Sequence, residues 1–434
     1  MRRIYGIGTL ILSLIVIPSG GGVQPLNFLT DRIHIPYYEL WMGILCFVWF
    51  IDRLVKHNFS IPPLLKNYKI FTLGLIWMIG IGIVRGNPVI DIIHDIRELS
   101  YFFILALIIP EYIKSKGDIK KLLNFFAVGI VAGLILYYTW YIIMITDPLN
   151  ILDKIMEKYE TAGFRVEYRL VYSFSLFAHL IALILTSSLL SERRLKINHV
   201  VLLLITIGVV ILSQSRALYI LLPFGILLLL IKYKISGTIL NKRILRFVFL
   251  IGSLVVFLGV MLNAVLPLPF IDALKSRAIS LFSLEYLIIN ISNRMVPFEL
   301  AMEGVTWKEW LFGKGLGTRI YIPWFEGTDF KPMNRYLDNQ WATMIVKGGI
   351  IGILATASFF VTFIKMATLS TKSKDKFNYI WLALWAFGIL KFIGYRAYFY
   401  DAMGMALFGF FSGIMLSKLK LAKTKENDGH DTMS

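Results

Sequence analysis

The chain has 434 residues, of which 57% are hydrophobic and only 17% are charged, and its mean hydropathy is +0.70. A soluble domain of this composition could not cover its own surface with polar groups, so the sequence excludes an ordinary soluble enzyme. Many apolar segments approach the length that crosses a bilayer. The composition therefore predicts an all-α polytopic membrane protein, because helices satisfy their own backbone groups in lipid.

In chain order we predict about twelve membrane spans, each a mainly apolar segment. They lie near 4–18, 36–52, 70–84, 99–113, 122–146, 168–190, 198–213, 215–231, 247–267, 339–364, 378–398 and 402–417. The first follows Met-Arg-Arg, as in a signal peptide, but no small-residue cleavage site follows it, so we interpret it as a retained span.

The spans divide the chain into four parts. Residues 1–267 hold spans one to nine, 268–338 form one large extracytoplasmic segment, and 339–417 hold spans ten to twelve. Residues 418–434 are polar and mixed in charge, which predicts a cytoplasmic tail without fixed structure.

The net charge of +18 could indicate a nucleic-acid-binding protein, but its distribution indicates membrane topology. With the N-terminus inside, every inner connection is short and basic, and these connections hold more than half of the 45 Lys and Arg residues. This follows the positive-inside rule, so we predict a multi-pass plasma (inner) membrane protein with both termini cytoplasmic and no nucleic-acid partner. The single Cys46 and six scattered histidines predict neither a metal site nor a bound cofactor.

The long segment 268–338 is polar and aromatic, and a structureless loop of that length is improbable, so we expect it to be folded. It contains Trp307, Trp310 and three glycines at 313, 315 and 317. No strand precedes this Gly-x-Gly-x-Gly sequence, so a dinucleotide-binding turn is not predicted.

Residues 85–100 predict an amphipathic helix that leads into the fourth span. At about 100° per residue one arc carries polar side chains and the opposite arc carries Ile and Leu. We interpret the polar arc as a solvated face at the outer surface, and the alternative is a face that lines a cavity against the long segment. The polar arc comprises Asp91, His94, Asp95, Arg97 and Glu98.

Arginines recur at the predicted outer ends of the spans. Arg165 and Arg169 are four residues apart and would share a face of a helix, where they could bind phosphate or anchor to headgroups. Arg216 lies in a tight turn between two apolar runs and is costly if it faces lipid, so it should face the protein interior or an aqueous cleft. Arg396 and Tyr398, in the last outer connection, could bind a sugar or phosphate or belong to an aromatic belt.

Guanidinium groups near one membrane face suit a ligand that carries a lipid-anchored pyrophosphate. Transfer of a sugar from such a carrier needs positive charge on the leaving pyrophosphate and a base for the acceptor hydroxyl. Asp338, at the start of the tenth span, is placed to be that base. It could also be the N-cap of the following helix, and the two roles do not exclude each other.

Three motifs occur in a fixed order. They are Ser213-Gln214-Ser215-Arg216, then Arg294 ahead of Gly313-Lys314-Gly315, then Asp338-Asn339-Gln340-Trp341 ahead of Gly348-Gly349-Ile350-Ile351-Gly352. Over about 210–355 the chain resembles the family of O-antigen polymerases and O-antigen ligases. Ligases of that family typically carry a histidine at the position of Asp338, and no histidine lies within 200–429 here. The chain is therefore more similar to the polymerases.

The resemblance implies a metal-independent, GT-C-like membrane glycosyltransferase without a cofactor, acting in surface polysaccharide (O-antigen or lipopolysaccharide) biosynthesis. Its donor would be a glycan on undecaprenyl pyrophosphate, its acceptor a lipid-linked repeat unit on the outer leaflet, and its partners membrane lipid and a chain-length regulator. Arg216 and Arg294 would hold the donor pyrophosphate and Asp338 would activate the acceptor hydroxyl. The substrate-binding set would be Arg165, Arg169, Arg335, Arg396, Asn339 and Tyr398.

Two alternatives stay open. A ligase would attach finished polymer to another acceptor, and the missing histidine argues against it. A flippase or other transporter of lipid-linked oligosaccharides should have charges deep within its spans and short outer loops. Paired broken helices, the usual indication of a transporter site, are not apparent in the sequence.

Overall fold

In a computed structural model the chain is predominantly helical. The structure describes residues 2–16, 27–28, 35–57, 60, 62–146, 165–166, 169–170, 173–191, 196–213, 215–235, 272, 275–276, 279, 283–323, 326, 333–371, 376–394, 399 and 401–430.

Nine helices and two short hairpins are described up to residue 235. The helices are α1 (Arg2–Val16), α2 (Tyr37–Val55), α3 (Pro63–Asn67), α4 (Lys69–Val84), α5 (Val89–Tyr112), α6 (Lys116–Thr146), α7 (Ser173–Ser191), α8 (Ile197–Leu212) and α9 (Arg216–Ile235). The strands are β1 (Asn27–Phe28), paired with β2 (Ile35–Pro36), and β3 (Arg165–Val166), paired with β4 (Arg169–Leu170), both antiparallel.

Five further helices and one hairpin are described after residue 283. The helices are α10 (Leu284–Met302), α11 (Trp307–Phe312), α12 (Gln340–Thr371), α13 (Asn378–Ile393) and α14 (Ala402–His430). The strands β5 (Ile320–Tyr321) and β6 (Met333–Asn334) pair antiparallel, with Ile320 opposite Asn334. The described part of the long segment is thus folded, as the sequence predicts.

Among the described residues three helices are long and apolar enough to cross a membrane: Lys116–Ile143, Gln340–Thr371 and Ala402–Ala422. Shorter apolar helices of 10–17 residues accompany them. Every apolar segment predicted from the sequence overlaps a helix except 247–267, which lies outside the described residues. The segment 168–190 also includes strand β4, so its helix begins later than predicted. The all-α class is confirmed, and the composition fits a membrane protein.

Helices α5 and α14 pack along each other through the centre of the bundle, with α4 and α12 on one side. Buried aromatic rings join these helices: Phe359 of α12 lies 5.0 Å from Phe102 of α5 and 4.8 Å from Phe71 of α4. Tyr68 adds a hydrogen bond of 2.9 Å to Ser412 of α14. This aromatic core fixes the relative heights of the four helices.

Helix α12 is not the single straight span that the sequence predicts for 339–364. Gly349 interrupts it with φ 58° and ψ −144°, a conformation that essentially only glycine adopts. A straight helix would separate Gln340 from Phe360 by about 30 Å. Phe399 nevertheless reaches both, since its N–H donates to Gln340 at 3.0 Å and its ring stacks on Phe360 at 5.9 Å.

The chain therefore folds back at Gly349, and α12 is a helical hairpin with a first arm, 340–348, and a second arm, 350–371. Close contact between the arms agrees with this: a Cβ added to Gly352 would overlap the carbonyl oxygen of Met344. The second arm alone is about 33 Å long, which still suffices to cross a bilayer. The first arm begins inside the bundle, beside Phe360 and Phe392.

Two local predictions are wrong. Residues 418–430 of the predicted structureless tail continue α14, since Leu, Ala and Lys favour helix and the Lys418 ammonium donates to the Ser370 carbonyl at 2.6 Å. Arg165 and Arg169 do not share a helix, because they lie on opposite strands of a hairpin. Arg165 pairs with Leu170, and Arg169 pairs with Val166.

Candidate functional site

The polar arc of α5 is buried against the folded segment that precedes and begins α12. Asp91, Asp95 and Glu98 are only 2%, 0% and 9% exposed. The interpretation of this arc as a solvated face is wrong. The arc faces the long segment, as the alternative has it, but its acidic side chains are buried there in ion pairs. Three buried acidic groups on one helix require positive partners, and each of them has one.

Asp91 pairs with Arg319, which lies one residue before β5. The guanidinium donates two hydrogen bonds of 2.8 Å to the two carboxylate oxygens. These hydrogen bonds, more than the opposing effect of burial, hold the pKa of Asp91 below its usual value. Because the Arg319 side chain is 47% exposed, solvent screens part of this attraction.

We expect Asp91→Asn to lower the free energy of unfolding by about 1 kcal/mol at pH 7. A carboxyl whose folded pKa is depressed stabilises the fold above its unfolded pKa, near 4, and this contribution is lost as the pH falls through the folded value. The difference between wild type and variant should therefore shrink as the pH falls below about 4 and vanish once the folded carboxyl is protonated. Chemical denaturation in detergent at several pH values measures it. Glu299→Gln, on the exposed surface of α10, should show no such convergence.

Asp95 and Lys347 form an ion pair in which both side chains are 0% exposed. Lys347 lies near the tip of the α12 hairpin, two residues before Gly349. The paired oxygen of Asp95 also accepts a hydrogen bond of 2.7 Å from the backbone N–H of Gly317. Its other oxygen is buried without a hydrogen-bond partner among the described residues.

The glycine turn, residues 313–317, fills the space between the hairpin tip and α4. Its successive amides donate to the Val346 carbonyl at 2.8 Å, the Lys347 carbonyl at 2.8 Å, the Met78 carbonyl at 2.9 Å and then to Asp95. The break at Gly349 leaves helix carbonyls without their usual partners, and the turn satisfies two of them. Since its amides are used in this way, the turn is a docking element and not an anion-binding loop.

The three glycines of this turn have φ between 75° and 83°, and each lies too close to a neighbour for a side chain. A Cβ on Gly313 would overlap the Lys347 backbone, and one on Gly315 would overlap the Gly82 backbone. The Gly-x-Gly-x-Gly spacing therefore serves close backbone packing.

Arg335, predicted to bind substrate, is half-buried against α5. Its guanidinium donates to the His94 carbonyl at 2.7 Å and contacts a Glu98 oxygen at 3.3 Å. The second Glu98 oxygen is buried and has no hydrogen-bond partner among the described residues. Burial, assisted by the charges of Arg335 and Arg97, lowers the pKa of His94.

Asp338 and Asn339 stand at the start of the first arm. The N-cap is Asn339, whose side-chain oxygen accepts from the amides of Trp341 at 2.9 Å and Ala342 at 3.1 Å. The assignment of Asp338 as the cap is thus wrong by one residue. Asp338 itself is exposed, and within the described part of the chain its carboxylate makes no hydrogen bond or ion pair.

The last predicted outer connection is attached to the same place. Trp341 donates from its indole nitrogen to the Phe392 carbonyl at 3.1 Å, and Gln340 accepts from Phe399. Arg396 and Tyr398 fall between these two anchors but lie outside the described residues.

The predicted catalytic arginines, Arg216 and Arg294, lie on two other helices, α9 and α10. Arg294 is exposed on α10, one turn before Phe298, which packs on a small apolar cluster that includes Leu337, the neighbour of Asp338. Arg216 is the first residue of α9, and Arg165 and Arg169 lie in the β3–β4 hairpin; only the backbone of these three residues is described. The structure therefore places α10 near the start of the first arm, which carries Asp338 and Asn339, and anchors Arg335 on α5.

Arg85 and Arg97, two further arginines near the predicted outer ends of the spans, have acidic partners. Arg85 bonds Glu309 at 2.6 Å, and Arg97 bonds Glu39 at 2.5 Å. The Arg85 hydrogen bond, with the capping hydrogen bonds of Thr306, lowers the pKa of Glu309 to about 2. Among the described residues no group of three His, Cys, Asp or Glu side chains could hold a metal ion.

Comparison with known protein families gives one match, to the model of a family of unknown function, DUF6369, over residues 86–424. The chain belongs to this family. A search of curated proteins found no match. The DUF6369 region contains α5, the glycine turn and the whole α12 hairpin. The charge network, by which we mean the ion pairs Asp91–Arg319, Asp95–Lys347 and Glu98–Arg335, therefore lies inside the family's boundaries.

The sequence analysis missed Lys347 as a member of the charge network, and it missed Asp95 as the buried partner of Lys347. A usable signal existed for the second. Lys347 is the only charged residue between Asp338 and Lys365, and an ionisable residue in an apolar segment usually has a partner in the protein interior. Its partner was not deducible, since Asp95 is 252 residues away in the chain.

Proposed function

We propose that this protein is a metal-independent membrane glycosyltransferase that polymerises a surface polysaccharide. It transfers a glycan from an undecaprenyl-pyrophosphate carrier to a lipid-linked repeat unit at the outer leaflet. The proposal includes about twelve spans, cytoplasmic termini and an extracytoplasmic segment at 268–338. It rests on the resemblance of residues 210–355 to O-antigen polymerases and on the chemistry available around Asp338.

The observation that carries the proposal is the state of Asp338. Most carboxylates near the hairpin are paired with arginine or lysine, but this one is exposed and unpaired among the described residues. Asp338 lies about 15 Å from the hairpin tip, as the length of the first arm implies. In sequence it follows Arg335 by three residues. An accessible carboxylate without a hydrogen-bond or ion-pair partner among the described residues suits a general base.

In the proposed reaction the acceptor hydroxyl attacks the anomeric carbon of the donor glycan. The new bond joins the acceptor oxygen to that carbon, and the bond from the carbon to the pyrophosphate oxygen breaks. Asp338 takes the hydroxyl proton, and undecaprenyl pyrophosphate leaves with the bonding electrons. Arg216 and Arg294 stabilise the negative charge on the leaving group, as guanidinium groups can without a metal.

The remaining predicted residues bind substrate in this proposal. Asn339 uses its side-chain oxygen for the helix cap, which leaves its amide nitrogen to donate to a sugar hydroxyl. Arg335 is held in place by Glu98 and the His94 carbonyl, so we assign it to binding substrate from a fixed position. Arg165, Arg169, Arg396 and Tyr398 complete the set.

One observation favours a second candidate, a transporter of lipid-linked oligosaccharides. The break in α12 and the buried Lys347–Asp95 pair are features of transporter sites. Against this candidate, the Val346 and Lys347 carbonyls at the break already accept hydrogen bonds from amides of the glycine turn. We therefore place the polymerase first.

A gel profile of surface and lipid-linked glycans from a deletion strain separates the candidates. Single repeat units on the outer leaflet, with the ladder of longer chains lost, support a polymerase. Full-length polymer retained on its lipid carrier identifies a ligase. Repeat units trapped on the inner leaflet identify a transporter.

Complementation of that strain tests the residues. We expect Asp338→Asn, Arg216→Ala and Arg294→Ala each to abolish polymer while the protein remains in the membrane at wild-type level. Glu303→Gln removes another exposed carboxylate of the same segment and should restore normal chain length. Normal chain length with Asp338→Asn would exclude Asp338 as the base. Normal chain length with both arginine variants would contradict the polymerase assignment itself.

A further inference from the structure

A cavity of about 310 Å³ lies at the end of the bundle opposite the charge network. Four helices line it, since α2, α3, α5 and α14 contribute Arg53, Lys66, Glu111 and Lys420 respectively. Along α5 it is about 24 Å from Asp95, so it is separate from the candidate site above. Its volume is at the lower limit of small-molecule pockets, which fits a headgroup better than a nucleotide.

The acidic side chains of this cavity are already neutralised. Asp52 is paired with Arg3 and accepts from the Tyr112 hydroxyl at 2.9 Å, and Glu111 is paired with Arg53. Both carboxylates in the lining are thus paired with arginines.

The lysines of the lining are therefore in excess. Lys56, Lys66 and Lys114 come from three different parts of the chain, and within the described residues their ammonium groups make no hydrogen bond or ion pair. Lys420 adds a fourth positive charge from α14. A cavity with this charge balance selects an anion.

An exposed apolar stripe on α2 leads to the cavity and identifies the kind of anion. Its members recur every three or four residues, so they lie on one face of the helix, and each is at least 40% exposed. The stripe ends beside Arg53 and Lys56, and it comprises Leu40, Ile44, Phe47, Ile51 and Leu54. A free phosphate gains no free energy from contact with an apolar surface, whereas an acyl chain packs on it favourably.

We propose that this cavity binds the headgroup of an anionic phospholipid, whose acyl chains lie along the α2 stripe. Basic pockets between helices on the cytoplasmic side of membrane proteins bind such headgroups, and the predicted topology places this end in the cytoplasmic leaflet. The proposal is independent of the glycosyltransferase assignment.

Thermal unfolding of the purified full-length protein in detergent tests the site. Phosphatidylglycerol should raise the melting temperature by several degrees, and phosphatidylcholine or sodium phosphate at equal concentration should not. The triple variant Lys56→Gln, Lys66→Gln, Lys114→Gln should bind phosphatidylglycerol about 100-fold more weakly. The control triple Lys69→Gln, Lys116→Gln, Lys120→Gln removes the same charge at the same end but outside the lining, and it should respond as wild type.

Three results would overturn the proposal: an equal shift with sodium phosphate, an equal shift with phosphatidylcholine, or an equal loss of response in both triple variants. The first would mean a free-anion site, the second an unspecific lipid effect, and the third a general surface charge effect. Native mass spectrometry of the wild-type protein gives a reading that needs no variant. Retention of phosphatidylglycerol no greater than that of phosphatidylcholine would also reject the site.

Discussion

Gly349→Ala is expected to prevent the α12 hairpin from closing and to lower the free energy of unfolding by about 3–5 kcal/mol. Two costs combine. The backbone at φ 58° and ψ −144° is strained for any residue with a Cβ, and the added methyl group would lie 2.5 Å from the Trp310 carbonyl oxygen. That oxygen belongs to the backbone of α11 and cannot move aside as a flexible side chain would.

Chemical denaturation of the purified variant in detergent measures this loss, and size-exclusion chromatography reports any failure to fold. Gly80→Ala is the matched control, because Gly80 lies on the exposed side of α4 and a Cβ there meets nothing within 4 Å. It should stay within about 1 kcal/mol of wild type, with any change toward greater stability. A Gly349→Ala protein as stable as the control would mean that α12 does not fold back at this residue.

Lys347→Met is expected to cause a similarly large loss, about 3–5 kcal/mol, because it leaves the Asp95 carboxylate buried without its counter-charge. Methionine fills a similar volume, so the loss reports mainly on charge and not on a cavity. Asp95 also holds the Gly317 amide, so the effect should extend to the docking of the glycine turn.

The double variant Lys347→Met, Asp95→Asn separates charge from packing. The amide that replaces the Asp95 carboxylate is neutral, and its oxygen can still accept from Gly317. We expect the double variant to lose less stability than the sum of the two single losses, with a coupling energy of about 2–3 kcal/mol in a double-mutant cycle. Simple addition of the two single losses would show that the two side chains do not form a pair.

The sequence predicted helix positions well, for a physical reason. A helix whose surface faces lipid or the protein interior needs a long apolar run. The runs at 36–52, 70–84 and 198–213 begin and end close to the ends of α2, α4 and α8. It also predicted the amphipathic start of α5 and a folded long segment. These are local properties, written in composition and periodicity.

The candidate site was predictable only in part. Asp338 and Asn339 were recognised from their place before an apolar run, although the cap belongs to Asn339. Arg335 was expected to bind substrate, and the structure pairs it with Glu98. The neighbouring Arg319 pairs in the same way with Asp91. Periodicity placed those acidic residues on one face of α5, but it carries no information on what that face contacts.

Tertiary structure alone decided the fold-back at Gly349, the burial of the Asp95–Lys347 pair and the structural use of the glycine turn. The reason is the separation of the partners along the chain: 252 residues for Asp95 and Lys347, and 228 for Asp91 and Arg319. A glycine pair in an apolar run is compatible with a straight span. The reversed conformation is stable because α4, α11 and residues 313–317 pack against the break. Two amides of the glycine turn donate to its carbonyls.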